Sequence, residues 1–130
     1  MFLDASAIVA IIAREPGYRS ILDRLEQTDQ TISSPIAVWE AAIALSRIGG
    51  QPPVTEATRV GDLLSQIDVA ILPVTAEIGH GAVLAFQRYG KGTGHRARLN
   101  LGDCFAYAMA KIHDKAILYK GDDFARTDLA

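Results

Sequence analysis

The sequence predicts an α/β fold with a mostly parallel sheet covered by helices. Short apolar segments with strand character alternate with longer segments of helical periodicity, the pattern of strand–helix–strand units joined by right-handed crossovers. The run Val69–Val74 is apolar and rich in β-branched residues, as in strands buried on both faces. A chain of 130 residues, 49% of them hydrophobic, can bury one core. We therefore expect one domain over residues 1–130.

The predicted elements follow one another without a linker or a repeat. The expected strands are Met1–Leu3, Thr31–Ser34, Val69–Val74 and Ala116–Tyr119. The expected helices cover Ala7–Ala13, a segment from about Tyr18, Pro35 to about Ile48, a segment capped by Thr55, Thr75 to about Tyr89, and Leu101–His113. Ser6, Thr55 and Asn100 are suited to cap helix N-termini because their side chains accept backbone N–H bonds. Pro35 suits a first helical turn.

The charge of the chain is nearly balanced. Thirteen Lys and Arg residues against fifteen Asp and Glu residues leave a net charge of −2. This balance excludes a generally basic nucleic-acid-binding surface, although a local basic patch remains possible. The single cysteine excludes an internal disulfide and a zinc site built from cysteine pairs. No signal peptide or membrane-length apolar run is visible, so we expect a cytoplasmic protein without a membrane segment.

Four acidic residues occupy positions that solvated helix faces do not explain. Asp4 ends the first strand, and Asp122 follows the last strand closely. Glu40 shares its helical face with three alanines, where an uncompensated charge is costly. Asp103 lies in the first turn of its helix. Strand C-termini and helix N-termini meet at the same edge of a parallel sheet, so we expect all four acids at the edge where such folds bind ligands.

Clustered carboxylates predict a cation. Such groups repel one another, and their pKa values rise unless a positive charge neutralises them. A ligand set made only of oxygen atoms favours Mg²⁺ or Mn²⁺ over zinc. A site of this kind can activate water and stabilise the charge that develops on a phosphodiester during in-line attack.

Each acid taken alone also has a structural explanation. Asp103 stands three residues after Asn100 and suits a capping box. Asp4 suits a turn, and Gly121–Asp123 suits a polar loop. Glu40 is not explained by a cap or a solvated face. The conjunction of the four acids, and not any one of them, favours a metal site.

Four segments carry a resemblance that covers essentially the whole chain. They are Phe2–Ser6, Trp39–Ala41, Leu99–Ala108 and Lys120–Phe124. Together they resemble the PIN-domain ribonucleases, and specifically the VapC toxins of bacterial type II toxin–antitoxin pairs. The Leu-Asn-x-Gly-Asp-Cys block and the closing Gly-Asp-Asp-Phe are specific, whereas an Asp-x-Ser start alone is a weak signal.

The resemblance implies a three-layer α/β/α fold and Mg²⁺-dependent endoribonuclease activity. Asp4, Glu40 and Asp103 match the three strongest acids of the family. Asp122 matches the fourth and most variable acid, and the adjacent Asp123 leaves this register open. Asp4 and Asp103 match direct metal ligands, while Glu40 and Asp122 match acids that bind metal through water or hold a second ion.

Further expectations follow from the same resemblance. Ser6 matches a hydroxyl position that supports the site from beside the first aspartate. The family also implies RNA as the substrate, a homodimer, and a cognate VapB-type antitoxin that inserts its tail into the cleft. Cys104 is predicted to be a small buried residue rather than a nucleophile. Trp39 is predicted to be a core or dimer contact rather than a base-stacking platform.

A basic segment precedes the Asp103 helix. No acid occurs between Glu77 and Asp103, while five basic or titratable side chains cluster there: Arg88, Lys91, His95, Arg96 and Arg98. We predict that the loop holds RNA phosphates beside the metal, with Arg88, Lys91, Arg96 and Arg98 as the contacts. A loop that only balances the acids elsewhere, or one that docks an acidic partner segment, remains open.

Three other functions compete with this interpretation. A phosphorelay receiver domain needs an acidic pair after the first strand, and Ala5 follows Asp4. It also needs a phosphoacceptor aspartate after a central strand, where this chain has Ser33–Ser34. A haloacid-dehalogenase-type phosphatase needs a second aspartate two residues after the first, where this chain has Ser6. A PIN-like RNA- or protein-binding module without catalysis also remains open, although acids at all four positions argue against it.

Overall fold

The structure, a computed structural model, describes residues 1–130. The strands are β1 (Phe2–Leu3), β2 (Thr31–Ser33), β3 (Val69–Ile71) and β4 (Ile117–Leu118). The helices are α1 (Ala5–Ile12), α2 (Tyr18–Glu26), α3 (Pro35–Gly49), α4 (Pro53–Gln66), α5 (Ala76–Tyr89) and α6 (Leu101–Ile112). The expected order of strands and helices is therefore confirmed.

The four strands form one parallel sheet in the order β3-β2-β1-β4. After β1 the chain adds β2 and β3 on one side, then returns to place β4 on the other side. The strands are thus added first to one side of β1 and then to the other. The boundary between β1 and β4 is therefore a topological switch point of the sheet. Leu3 pairs with Leu118, and the Asp4 N–H donates to the Leu118 carbonyl at 3.0 Å. The residues that follow β1 and β4 are consequently neighbours.

One hydrophobic cluster of 32 buried residues fills the molecule. Strands β1 and β4 are enclosed, since Phe2 and Leu3 of β1 are 0% exposed and Leu118 of β4 is 1% exposed. Helices flank the sheet, with α3 packed against α4 and α5 packed against α6. This arrangement confirms the expected α/β/α architecture with a parallel sheet.

Several predicted helix boundaries are confirmed by their caps. The Ser34 hydroxyl accepts the Ala37 N–H before α3, and the Thr75 hydroxyl accepts the Ile78 N–H before α5. Helix α3 is followed by Gly50 as its C-terminal cap, whose φ of 74° lies in the left-handed region that glycine tolerates.

Three local predictions are wrong. Helix α1 begins at Ala5 with Asp4 as its cap, because the Asp4 carboxylate accepts the Ser6 N–H and so replaces the predicted Ser6 cap. Helix α4 begins at Pro53, two residues before the predicted Thr55 cap, because consecutive prolines fix φ for a helical start.

The third error concerns β3. The predicted strand Val69–Val74 is only three residues long, and its last two residues are exposed. Strand β3 lies at one edge of the sheet, and only its first residue, Val69, is buried, whereas both residues of the other edge strand, β4, are buried. A β-branched apolar run does not distinguish an edge strand from a central one.

None of the helices has the length and apolar character that crossing a membrane requires.

Candidate active site

Asp4 joins the first strand to the first helix. Its carboxylate accepts two hydrogen bonds at Oδ2, from the Ser6 N–H at 3.0 Å and from the Ser6 hydroxyl at 2.6 Å. The residue is 5% exposed. Because β1 passes into α1 without a loop, this carboxylate is fixed at the C-terminal edge of the sheet.

Ser6 connects the ends of β1 and β4. Its hydroxyl donates to Asp4 and accepts the backbone N–H of Lys120 at 3.0 Å. The hydroxyl therefore holds the loop after β4 against the start of α1, on both sides of the switch point. This geometry is what the expected supporting role of Ser6 requires.

Asp103 forms a capping box at the start of α6. Its Oδ2 accepts the Asn100 N–H at 3.0 Å, and its own N–H donates to Asn100 Oδ1 at 2.9 Å. The structural explanation offered for Asp103 is therefore confirmed, and it is compatible with a role in the site. The capping box fixes the rotamer and leaves Oδ1 outside this pair of hydrogen bonds.

Glu40 lies on α3, half-buried, against the first turn of α6. None of the three ion pairs in the structure includes it. A Cβ atom added to Gly102 would overlap the carboxyl carbon and both carboxylate oxygens of Glu40. The Glu40 carboxylate thus occupies the space that a side chain at position 102 would fill.

Burial and mutual repulsion raise the pKa values of these three acids. Burial is the main cause in each case, and it raises the pKa of Asp4 above its usual range and the pKa of Glu40 and Asp103 to about 7. The charges of Asp4 and Asp103 add to the effect on Glu40. The charge of Asp4 also acts on Asp103. The three carboxylates therefore form one electrostatically coupled cluster.

The fourth acid of this cluster is Asp123. Its charge raises the pKa of Asp4, of Glu40 and of Asp103, whereas Asp122 contributes to none of the three. Both residues are exposed and lie in the turn after β4, after Gly121, whose φ is 101°. Of the two adjacent acids that the sequence leaves open as the fourth, Asp122 and Asp123, only Asp123 acts electrostatically on the cluster.

A cleft of about 490 Å³ opens beside the acids. Its lining includes Ser6, Glu40 and Lys120, and also Glu15. Lys120 Nζ contacts Glu15 Oε2 at 2.6 Å, so an ion pair forms part of the wall. This pair was not predicted from the sequence, since Glu15 resembles an ordinary turn residue before Pro16. Only the packing of the α1–α2 connection near β4 reveals it.

The basic segment forms a closed loop that leads into α6. Two backbone hydrogen bonds close it: Lys91 N–H donates to the Leu99 carbonyl, and Leu99 N–H donates to the Tyr89 carbonyl, both at 2.9 Å. Lys91, Arg96 and Arg98 are exposed and take part in no ion pair. The Arg88 guanidinium lies 4.8 Å from the centre of the Tyr89 ring. Lys91, Arg96 and Arg98 are therefore not paired with acids of the same chain, whereas the charge of Arg88 helps to lower the pKa of Asp128.

No group of three or more His, Cys, Asp or Glu side chains converges closely enough to bind one metal ion. The structure therefore does not preform a metal site from three of these side chains, and the expected site on Asp4 and Asp103 stays a prediction. Asp4 and Asp103 each use Oδ2 for the hydrogen bonds from Ser6 and Asn100, and their Oδ1 atoms receive none of these bonds. The donor set therefore suits a hydrated divalent cation.

Two other predictions have clear outcomes. Cys104 is 2% exposed and free, as expected of a small buried residue, and burial raises its pKa to about 11, which disfavours a thiolate. Trp39, predicted to be a core or dimer contact, is 63% exposed and so is not a core residue, while the dimer contact stays a prediction. The buried face of α3 consists mainly of alanines, and Trp39 lies outside that face.

The match to a family model decides where the chain belongs. The model of the PIN domain matches residues 1–129. The chain belongs to the PIN-domain family. It is 40% identical to a VapC ribonuclease of Rhizobium meliloti (strain 1021), over 98% of each chain. It is 39% identical to a ribonuclease VapC of Mycolicibacterium smegmatis, over 100% of this chain and 98% of that one. The inferred resemblance to VapC ribonucleases is confirmed.

Solved structures agree on the fold. A toxin–antitoxin complex from Klebsiella pneumoniae contains a chain that matches with a TM-score of 0.72 at 18% identity, over 98% of this chain and 92% of that one. The toxin VapC20 of Mycobacterium tuberculosis, which cleaves the sarcin–ricin loop, matches with a TM-score of 0.73 at 18% identity, over 95% and 92%. A PIN-domain chain is neither a receiver domain nor a haloacid-dehalogenase phosphatase.

The raised pKa of Glu40 predicts that its charge destabilises the metal-free protein. Because the folded pKa of about 7 exceeds the unfolded value of 4.5, the folded state binds more protons between these values. The free energy of unfolding should fall as pH rises from 4.5 to 7. Glu40→Gln should therefore melt at the wild-type temperature or up to roughly 6 °C above it in EDTA at neutral pH, and should gain less stability from Mg²⁺.

The control for this measurement is Glu26→Gln on the exposed face of α2, which should melt as the wild type does. A Glu40→Gln protein that melts several degrees below wild type in EDTA would show that Glu40 supports the fold instead.

Proposed function

We propose that the protein is a metal-dependent endoribonuclease and the toxin component of a type II toxin–antitoxin system. The observation that carries this proposal is the coupled cluster of Asp4, Glu40 and Asp103 at the switch point of the sheet. Curated relatives that match almost the full chain are VapC ribonucleases. The protein is accordingly a hydrolase that cuts internal phosphodiester bonds of RNA.

Mg²⁺, with Mn²⁺ as a substitute, is the cofactor that suits this oxygen-only donor set. When bound, such an ion lowers the pKa of water and neutralises charge on a phosphodiester. Asp4 and Asp103 would hold the ion through their carboxylates, while Glu40 and Asp123 would act through bound water. We assign the role of the fourth acid to Asp123 in place of Asp122. The charge of Asp123 acts on the other three acids, and the charge of Asp122 acts on none of them.

The fold keeps the acids in position at a cost in repulsion. Ser6 fixes the Asp4 carboxylate through two hydrogen bonds, and Asn100 fixes Asp103 through the capping box. These contacts reduce the reorganisation that catalysis requires, since the carboxylates already lie where the cation and substrate arrive. The cleft beside Ser6 and Glu40 gives the RNA backbone access to them.

The basic loop supplies the phosphate contacts. Lys91, Arg96 and Arg98 are exposed and unpaired with acids, and Arg88 lies at the base of the loop. The loop runs directly into the cap of α6, so phosphates bound to it would lie near Asp103. Contacts of this type position RNA without reading its sequence.

Two protein partners belong to this proposed function. A cognate VapB-type antitoxin is one, since a structural relative was solved as a toxin–antitoxin complex. A second copy of the chain is the other. An apolar groove of about 300 Å³ between α5 and α6 is bordered by the exposed side chains of Val83, Phe86 and Leu101, and exposed apolar faces of this kind mark interfaces.

We further propose a one-domain organisation and a cytoplasmic location. Residues 1–130 form a single PIN domain, which the continuous core of 32 residues supports. The protein acts in the cytoplasm, where its RNA substrates lie.

A PIN-like module that binds RNA or protein without cutting is the competing function. In such a module the clustered acids would have no chemical role, although their burial and repulsion destabilise the fold.

The acid cluster predicts metal-dependent cleavage that single substitutions remove. Asp4→Asn and Asp103→Asn each keep the side-chain volume and one carbonyl oxygen but remove an anionic ligand. We expect each to lower the rate of RNA cleavage at least about 100-fold, with circular dichroism spectra unchanged. Asp123→Asn should lower the rate far more than its neighbour Asp122→Asn, which serves as the matched control. Full activity of Asp103→Asn, or of the wild type in excess EDTA, rules out the metal-dependent mechanism.

The basic loop predicts a salt-dependent contribution to RNA affinity. Replacing Arg96 and Arg98 with Ala should flatten the log–log dependence of affinity on salt by about one unit for each phosphate that the loop no longer binds. Metal affinity, measured by calorimetry, should not change. A variant with Arg19 and Arg24 on α2 replaced by Ala has the same net charge and should keep the wild-type slope. If both double variants behave alike, the loop is only a solvated surface.

A further inference from the structure

Gly102 is the second residue of α6 and is buried against Glu40. The three atoms nearest to a Cβ built at this position all belong to the Glu40 carboxyl group. Other helical glycines differ, because a Cβ at Gly61 or Gly79 meets nothing within 4 Å and one at Gly81 comes no closer than 3.3 Å, to Ala108. The close approach at Gly102 is therefore specific to one side chain, and that side chain belongs to the acid cluster.

The backbone at Gly102 does not require glycine. It lies inside a helix and has no positive φ. Glycine is disfavoured relative to alanine by about 1 kcal/mol in helix interiors, and the first-turn backbone at Gly102 has no left-handed φ that would favour glycine instead. What glycine provides is the empty volume into which the Glu40 carboxylate fits.

We propose that Gly102 is a positioning residue that keeps the Glu40 carboxylate within the acid cluster. This inference rests on the proposed ribonuclease function, since it assigns Gly102 a role through Glu40. A methyl group at position 102 would meet the far end of a flexible side chain, not the backbone of α3. Glu40 would therefore rotate away, and the fold would remain intact while one carboxylate left the cluster.

A purely structural role for Gly102 makes a different prediction. If glycine were needed for close packing of α6, then an added methyl group would destabilise the protein whatever residue stands at position 40. If it is needed for Glu40, then shortening Glu40 by one methylene relieves the overlap. The two roles are separated by combining substitutions at both positions.

The test compares G102A, E40D and the double variant G102A/E40D with the wild type. G102A should lower RNA cleavage about 100-fold while its melting temperature in EDTA stays within a few degrees of wild type or rises. E40D alone should lower cleavage. In the G102A background, however, E40D should raise cleavage, because the shorter side chain fits beside the methyl group. G61A on α4 is the matched control and should cleave RNA as the wild type does.

Two readouts do not depend on cleavage. Calorimetric titration with Mn²⁺ should show weaker binding to G102A and partial recovery in G102A/E40D. The change in melting temperature caused by G102A should differ between proteins with Glu40 and with E40A, because contacting residues are energetically coupled.

Each outcome decides the inference. Wild-type cleavage by G102A overturns it, and so does a large drop in the melting temperature of G102A that E40A does not reduce. A wild-type protein that cleaves no RNA would instead contradict the proposed function. In that case the Mn²⁺ titration and the melting-temperature comparison still show whether Gly102 positions Glu40.

Discussion

The burial of several carboxylates at one edge of the sheet, where their charges also repel one another, is the constraint on which the rest of this structure depends. The strand order β3-β2-β1-β4 places the ends of β1 and β4 side by side, and α3 and α6 bring Glu40 and Asp103 to the same edge. Burial then raises the pKa of both residues to about 7. Such an arrangement weakens the folded state unless a cation binds to it, so it is better understood as a site than as a stabilising feature.

The residues that shape the local fold are also those to which we assign the proposed site. Asp4 caps α1, Asp103 completes the capping box of α6, and Ser6 joins the ends of β1 and β4. Gly102 leaves room for Glu40 beside the same turn of α6. Structural and functional explanations of these residues are therefore complementary. A substitution that removes charge but keeps the hydrogen-bonding oxygen separates the two roles, whereas truncation to alanine alters both.

Much of this arrangement could be predicted from the sequence, because capping residues and alternating apolar patterns are local signals. The starts of α3, α5 and α6, and the gathering of Asp4, Glu40 and Asp103, follow from such signals together with the geometry of parallel sheets. Tertiary facts could not be predicted. Which of Asp122 and Asp123 acts electrostatically on the cluster depends on the turn after β4. The exposure of β3 depends on how its edge of the sheet is covered, since the other edge strand, β4, is buried. The Glu15–Lys120 ion pair likewise joins residues distant in the chain.

The most direct test of the account is a titration of the side-chain carboxyl groups by ¹³C NMR, with and without millimolar Mg²⁺. In the metal-free protein, Glu40 and Asp103 should titrate near pH 7, and both pKa values should fall by at least about one unit when Mg²⁺ neutralises the cluster. Asp128, whose pKa is held at about 2 by the Tyr107 hydroxyl and Lys111, should not respond to Mg²⁺. Ordinary pKa values for Glu40 and Asp103 that Mg²⁺ leaves unchanged would contradict the account, because the acids would then form neither a coupled cluster nor a cation site.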